Sequence, residues 1–227
     1  WAFKRYAAYD GRGKNIRDFT NYDDRQAKKI LGRSLLNSEL GCYLSHYGCV
    51  EKFLQTDADY LVVLEDDLRI DNNFSSTLQE ILHYLHSQKN IEWSLINIAA
   101  KKNKISREIF RTHDYSLVRA YYFPIRGVGL VWSRQGAHDF LKMAQNPCLP
   151  VDIFFQNWLI KNGKGLSIWP PLVRPAGLDS DILGTVATER VRRKQKENRD
   201  FSFFMKKQLR LLKNNILAYI NFLLFKS

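Results

Sequence analysis

The sequence predicts an α/β domain built on a mixed sheet with helices packed against it. Three observations predict it. Short apolar runs alternate with longer stretches of helical period. At 227 residues and 45% hydrophobic content, with 14 Phe and 11 Tyr, the chain can bury a sizeable core. Charged residues make up 26%, which argues against global disorder.

The elements follow in order. "SLLNSELGCYLSHYGCVEKFL" reads as a helix with Ser38 as N-cap and Leu40, Leu44, Tyr47, Val50 and Leu54 at helical spacing. "YLVVL", residues 60–64, reads as a strand buried on both faces after the polar turn "QTDAD". "NNFSSTLQEILHYLHSQ" is a second helix whose inner face is Phe74, Leu78, Ile81, Leu82 and Leu85. "WSLINIAA", "YSLVRAYYF" and "GVGLVWS" read as strands, and "RQGAHDFLKMA" as a helix. "VDIFFQNWLIKN" is helical with Gly163 as its stop, and "GLSIWP" returns as a strand. Neither an internal repeat nor a long flexible linker interrupts this order.

The last segment differs in character. Between Arg190 and Lys213 ten basic residues face two acids, giving +8 of the chain's +12. Met205, Leu209, Leu212, Ile216, Tyr219 or Ile220, and Leu223 recur at steps of three and four. Its longest apolar part falls short of the roughly 20 residues that span a bilayer. An amphipathic helix on an anionic lipid surface is expected, against the plainer reading of a helix docked on its own domain. The division expected is 1–185 for the main domain and 186–227 for a basic, membrane-associating tail.

Cys42, Cys49 and Cys148 have no metal-ligand spacing, and so sparse an odd set points to reduced thiols in the cytoplasm. Two helical turns separate Cys42 from Cys49, too far to bridge. No signal peptide opens the chain, which starts at Trp1 rather than Met; its natural N-terminus is expected upstream.

The chemistry concentrates where the run "YLVVL" ends in Glu65-Asp66-Asp67, with no basic residue before Arg69. Adjacent like charges are costly unless a cation sits among them. Ligands of α/β domains collect at the carboxyl ends of strands, and hard oxygen donors select Mg²⁺ or Mn²⁺. The plain alternative is a solvated turn with Asp71 or Asn72 capping the next helix.

The ordered set "GCYLSH", "YLVVLEDD", "GVGLVWSRQGAHDFL", "PVDIFF" and "PPLVRP" resembles the family 25 glycosyltransferases over roughly residues 3–182. These are lipopolysaccharide and lipooligosaccharide enzymes of Gram-negative bacteria, with relatives that galactosylate collagen. "FKRYAAYDG" is similar to the family segment that follows its first strand and helix. The family's opening strand, with an Ile-Asn-Leu-like stretch, has no counterpart after Trp1.

The resemblance implies a GT-A type, Rossmann-like fold and a nucleotide-sugar donor. It also implies a metal motif at Glu65, Asp66 and Asp67 holding Mn²⁺ or Mg²⁺. It makes Asp152 the leading catalytic base, although an acid at a helix start also benefits from the helix dipole. Donor-binding residues implied are Ser45, His46, Glu65, Asp66, Asn97, Gly127, Asp179 and Asp181. Each has a plain reading beside it. His46 reads otherwise as a structural histidine, Asn97 as a buried amide satisfying loop backbone, and Asp179 and Asp181 as exposed loop acids. Gly127 and Gly129 permit close packing or backbone approach to a ligand. His83, His86, His113 and His138 read as structural or surface residues.

The function expected is therefore metal-dependent, inverting transfer of a hexose, galactose from UDP-galactose, to lipooligosaccharide. The enzyme is expected to be peripheral on the cytoplasmic face of a Gram-negative inner membrane. Two rivals are a basic nucleic-acid-binding protein or nuclease, and an inactive membrane-binding module. No basic groove surrounds the acids in sequence, so nucleic acid is not an expected partner.

Overall fold

The computed structural model describes residues 3–11, 14, 18–176 and 201–224. Asp179, Asp181 and the basic run 190–199 lie outside them. The chain divides into two units that interleave along the sequence. One draws its described residues from 3–58, 137–151 and 201–209, the other from 59–136, 152–176 and 210–224.

The second unit holds the sheet. Its strands are β1 (Tyr60–Leu64), β3 (Leu95–Asn97), β4 (Ser106–Arg111), β5 (Ser116–Ala120), β6 (Gly129–Ser133) and β7 (Gly165–Trp169). They lie in the order β1-β6-β3-β7-β5-β4. Only β3 and β7 pair in parallel; the other neighbours are antiparallel, so the expected mixed sheet is present. A separate ribbon pairs β2 (Leu68–Ile70) with β8 (Val173–Pro175).

Helix α3 (Phe74–Ser87) covers one face of the sheet. Its predicted inner residues Phe74, Leu78, Ile81, Leu82 and Leu85 are all buried with Ile96, Leu117, Val131, Leu166 and Ile168. Successive strand residues point to opposite faces, so Trp132, next to Val131, points the other way. There it meets helix α5 (Val151–Asn162), with Phe155 edge-on at 5.3 Å and Trp158 stacked at 6.3 Å between ring centroids. Gly129 lets the layers close: a Cβ there would stand 2.3 Å from a Val173 methyl. Gly163 ends α5 at φ 68°, as its position predicted.

In the first unit, α1 (Asp24–Leu31) starts where Asp23 accepts the Gln26 N–H at 2.8 Å. Helix α2 (Asn37–Leu54) follows. Helix α4 (Arg134–Met143) lies where the sequence placed it, and the last helix, α6 (Phe201–Leu224), is divided between the units, 201–209 in the first and 210–224 in the second.

Three expectations need correction. Strand β1 is not buried on both faces; it is the sheet's edge, and all five residues are half-buried. Ser38 is not the cap of α2: the cap is Leu36, whose N–H donates to Glu39 at 2.8 Å. Arg33 holds that carboxylate in place with two bonds of 2.7 and 2.8 Å. Helix α3 is capped by neither Asp71 nor Asn72 but by Asn73. Asp71 instead accepts the Asn73 N–H at 2.9 Å and the Tyr115 hydroxyl at 2.7 Å. All three cysteines are free and partly buried.

Candidate active site

One edge of the sheet gathers the predicted acids. Register places Leu64, the last residue of β1, opposite Gly129, and Asn97, the last of β3, opposite Leu130. Both strands therefore end where β6 begins, and the chain leaving β1 enters Glu65-Asp66-Asp67 at that edge.

Backbone bonds fix this turn at both ends. The Glu65 N–H donates to the Val128 carbonyl at 3.0 Å, and the Asp67 carbonyl accepts from the Ala176 N–H at 2.7 Å. Asp66 is exposed, whereas Glu65 and Asp67 are half-buried. Burial first, then the charges of Asp67, Asp66 and Asp152, push the Glu65 carboxyl up to about 7. Asp152 thus contributes to the same local field, although it lies in the first turn of α5. Its Oδ1 also accepts the Ile153 N–H at 2.7 Å.

Asp67 Oδ1 is buried and has no hydrogen-bond partner among the described residues. A buried carboxylate oxygen without a donor is costly, and its need is met by a proton or a metal ion. The donor set of Glu65, Asp66 and Asp67 is all hard oxygen, which fits Mg²⁺ or Mn²⁺ rather than a thiolate-seeking metal.

The loop before β6 shapes the same edge. Asn97 is fully buried; its amide donates to the Arg126 carbonyl at 2.8 Å and to Pro124 at 3.4 Å. Its Oδ1 accepts the Ala99 N–H at 2.9 Å. Asn97 thus braces backbone, the plainer of its two sequence readings. The loop it holds is strained: Arg126 has φ 119°, a conformation L residues rarely adopt and one that costs about 1–3 kcal/mol. Such strain clusters at functional sites, and sequence reasoning passed Arg126 over. The only signal was its place in "RGVG", where glycine was the residue to suspect. Gly127 follows it, half-buried in the same loop.

Ser45 and His46 belong to the first unit, on α2. Ser45 donates to the Gly41 carbonyl at 2.7 Å and accepts the Tyr9 N–H at 2.9 Å, so it ties the segment 3–11 to the helix. That segment lies close: a Cβ on Gly41 would come within 2.7 Å of the Tyr9 carbonyl oxygen. His46 is 4% exposed, and burial depresses its imidazole to about 4, leaving it neutral at pH 7. The same unit contains a cleft of about 340 Å³ lined by Asn21, Leu44, Tyr47 and residues 144–147. A second, of about 200 Å³, lies between Tyr9, Phe19, Tyr22 and Leu40.

Comparison with known proteins bears on these residues. Residues 1–155 match the family model described as "Glycosyltransferase family 25 (LPS biosynthesis protein)", a stretch that includes the acids and Asp152. The chain is 36% identical over 165 residues to procollagen galactosyltransferase 1 of Danio rerio, covering 67% of this chain and 26% of that protein. It is 31% identical over 144 residues to procollagen galactosyltransferase 2 of Homo sapiens, covering 62% and 22%. A Bos taurus protein named as a probable inactive family 25 member 3 is 33% identical over 126 residues, covering 54% and 20%. The chain therefore spans about a quarter or less of these relatives' own length.

Proposed function

The chain belongs to glycosyltransferase family 25, and from that premise we propose that it transfers a hexose from a nucleotide-sugar donor to a sugar hydroxyl. The observation that supports this best is the acidic edge of the sheet. Four carboxylates act on one locality, and Asp67 has a buried oxygen with no hydrogen-bond partner among the described residues, which a bound cation would satisfy. Galactose from UDP-galactose is the donor proposed, after the relatives named as galactosyltransferases. Lipooligosaccharide or lipopolysaccharide is the acceptor proposed, after the family's description. The place proposed for the reaction is the cytoplasmic face of a Gram-negative inner membrane.

Asp152 is the proposed base. Its carboxylate takes the proton of the acceptor hydroxyl as that oxygen bonds to the sugar's anomeric carbon. The bond from that carbon to the diphosphate breaks with its electron pair going to UDP, and in-line attack inverts the centre. Asp67, with Glu65 or Asp66, would hold Mn²⁺ or Mg²⁺, which when bound neutralises charge on the diphosphate. Glu65 must lose its proton to join that set, so the ion competes with a proton there. Asn97 and the strained loop at Arg126 keep the rim of the edge in one shape, so the donor meets a preorganised surface.

A donor screen tests the reading: UDP release is measured from several UDP-hexoses with and without Mn²⁺, then transfer to lipooligosaccharide and to a collagen peptide. Release of UDP from UDP-galactose only with metal supports it. No release from any donor favours the inactive relatives' state.

A further inference from the structure

The stretch 210–224 of helix α6 meets the sheet-bearing unit with a mixed face, Asn214 and Asn221 beside Leu217, Ala218 and Phe222, and leaves a wholly apolar stripe exposed. Asn214 donates to Asn157 at 2.9 Å, Asn221 donates to the Ile160 carbonyl, and Arg107 donates to the Phe222 carbonyl at 3.0 Å. Ala218, fully buried, packs there with Tyr121, Tyr122 and Ile160. On the outward side Leu209, Leu212, Ile216, Tyr219 and Leu223 are 51–58% exposed, and Met205 is 44% exposed. Their spacing of three and four residues makes one continuous stripe along the helix. A surface helix of a globular protein ordinarily presents charged and polar residues on its outward side, not a second apolar stripe.

We propose that this outward face of α6 is a preformed docking surface for an anionic lipid bilayer, lying in the plane of the interface rather than crossing it. Charge identifies the occupant. Residues 201–224 include Lys206, Lys207, Arg210 and Lys213 and no acid. Lys213 follows Leu212 by about 100° around the helix, at the margin of the stripe, where a long side chain can bury its stem and keep its ammonium among headgroups. Pairing two copies through this face would set cation against cation with no acid to offset them, so a second copy is disfavoured. No helix among the described residues is long and apolar enough to cross a membrane. Tyr219, on the stripe, has the aromatic body and polar tip that suit a headgroup boundary.

Because Asn214, Leu217, Ala218, Asn221 and Phe222 already dock the helix, the stripe is free to serve lipid without loss of packing. The proposal does not rest on the transferase reading, and its test separates the two. The full chain is floated with phosphatidylcholine vesicles and with vesicles containing phosphatidylglycerol. Binding is expected only to the anionic vesicles and is expected to weaken in high salt. The variant Leu212→Ser/Ile216→Ser/Leu223→Ser should keep its circular-dichroism melting curve and lose about tenfold or more in vesicle partitioning. Lys206→Gln/Lys213→Gln, which removes no apolar side chain, should lose about tenfold on anionic vesicles alone. UDP release in solution should be unchanged in both. Absence of wild-type binding, equal binding by the variants, or unfolding of the serine variant without a loss in the lysine variant would overturn the proposal. So would a wild-type dimer in sedimentation that the serine variant dissolves.

Discussion

The buried amide of Asn97 donates to the Arg126 carbonyl at 2.8 Å, and so a strand end holds a loop residue in a backbone conformation it would not adopt alone. The bond offsets local strain beside the acids. Asn97→Ala should release it, leave buried carbonyls unsatisfied and cost about 2–3 kcal/mol in urea unfolding. UDP release should fall as well. Unchanged stability would mean that the loop holds its shape without Asn97.

Asp67→Asn should abolish turnover with little effect on the fold. In metal-free protein the substitution removes one charge from a crowded set, so the melting temperature should hold or rise slightly. The rise in melting temperature that Mn²⁺ gives the wild type should vanish. A variant that still gains stability from Mn²⁺ would place the ion elsewhere.

Asp152→Asn is expected to depress kcat by two orders of magnitude or more (about 10²–10⁴) while donor affinity from calorimetry stays near wild type. A loss of donor affinity at constant kcat would make Asp152 a binding residue.

Two groups give stability opposing pH dependences. Glu65, raised from 4.5 to about 7, binds more protons folded than unfolded, so its contribution is present at low pH and declines as pH rises from about 4.5 through 7. The full loss is at most about 3 kcal/mol. His46, lowered from 6.5 to about 4, contributes stability above 6.5 and loses it as pH falls toward 4. In metal-free wild type these slopes oppose each other between about 4.5 and 6.5. Glu65→Gln should expose the rising slope and His46→Asn the falling one, read as urea midpoints from pH 4.5 to 8. Parallel profiles for both variants and wild type would refute the assignment.

Much of this architecture was legible because apolar period survives in a single sequence. The inner face of α3 and the extent of α5 followed from it directly. Strand β1 was legible as a strand but not as an edge, since its partner β6 lies more than sixty residues on. The ribbon strands β2 and β8 are three residues each, too short for any period, and β4 hides its pattern among Arg107, Glu108 and Arg111. At the site, the acids announced themselves through charge placed against an apolar run. Arg126 did not, because backbone strain leaves no mark on residue type. The stripe of α6 was visible too, but not the direction it faces, which Asn157 and Asn214 decide from distant parts of the chain.

The acidic turn takes its final shape only through contacts made much later along the chain. Glu65 waits for Val128 and Asp67 for Ala176, while β2 has no partner until β8. A ribosome emitting about 5–20 residues per second would expose the acids several seconds before Ala176 follows. During that interval the three acids of the turn exist as sequence without the contacts that shape them. A nascent chain halted before β8 should therefore contain every acid of the proposed metal set and yet hold no ion.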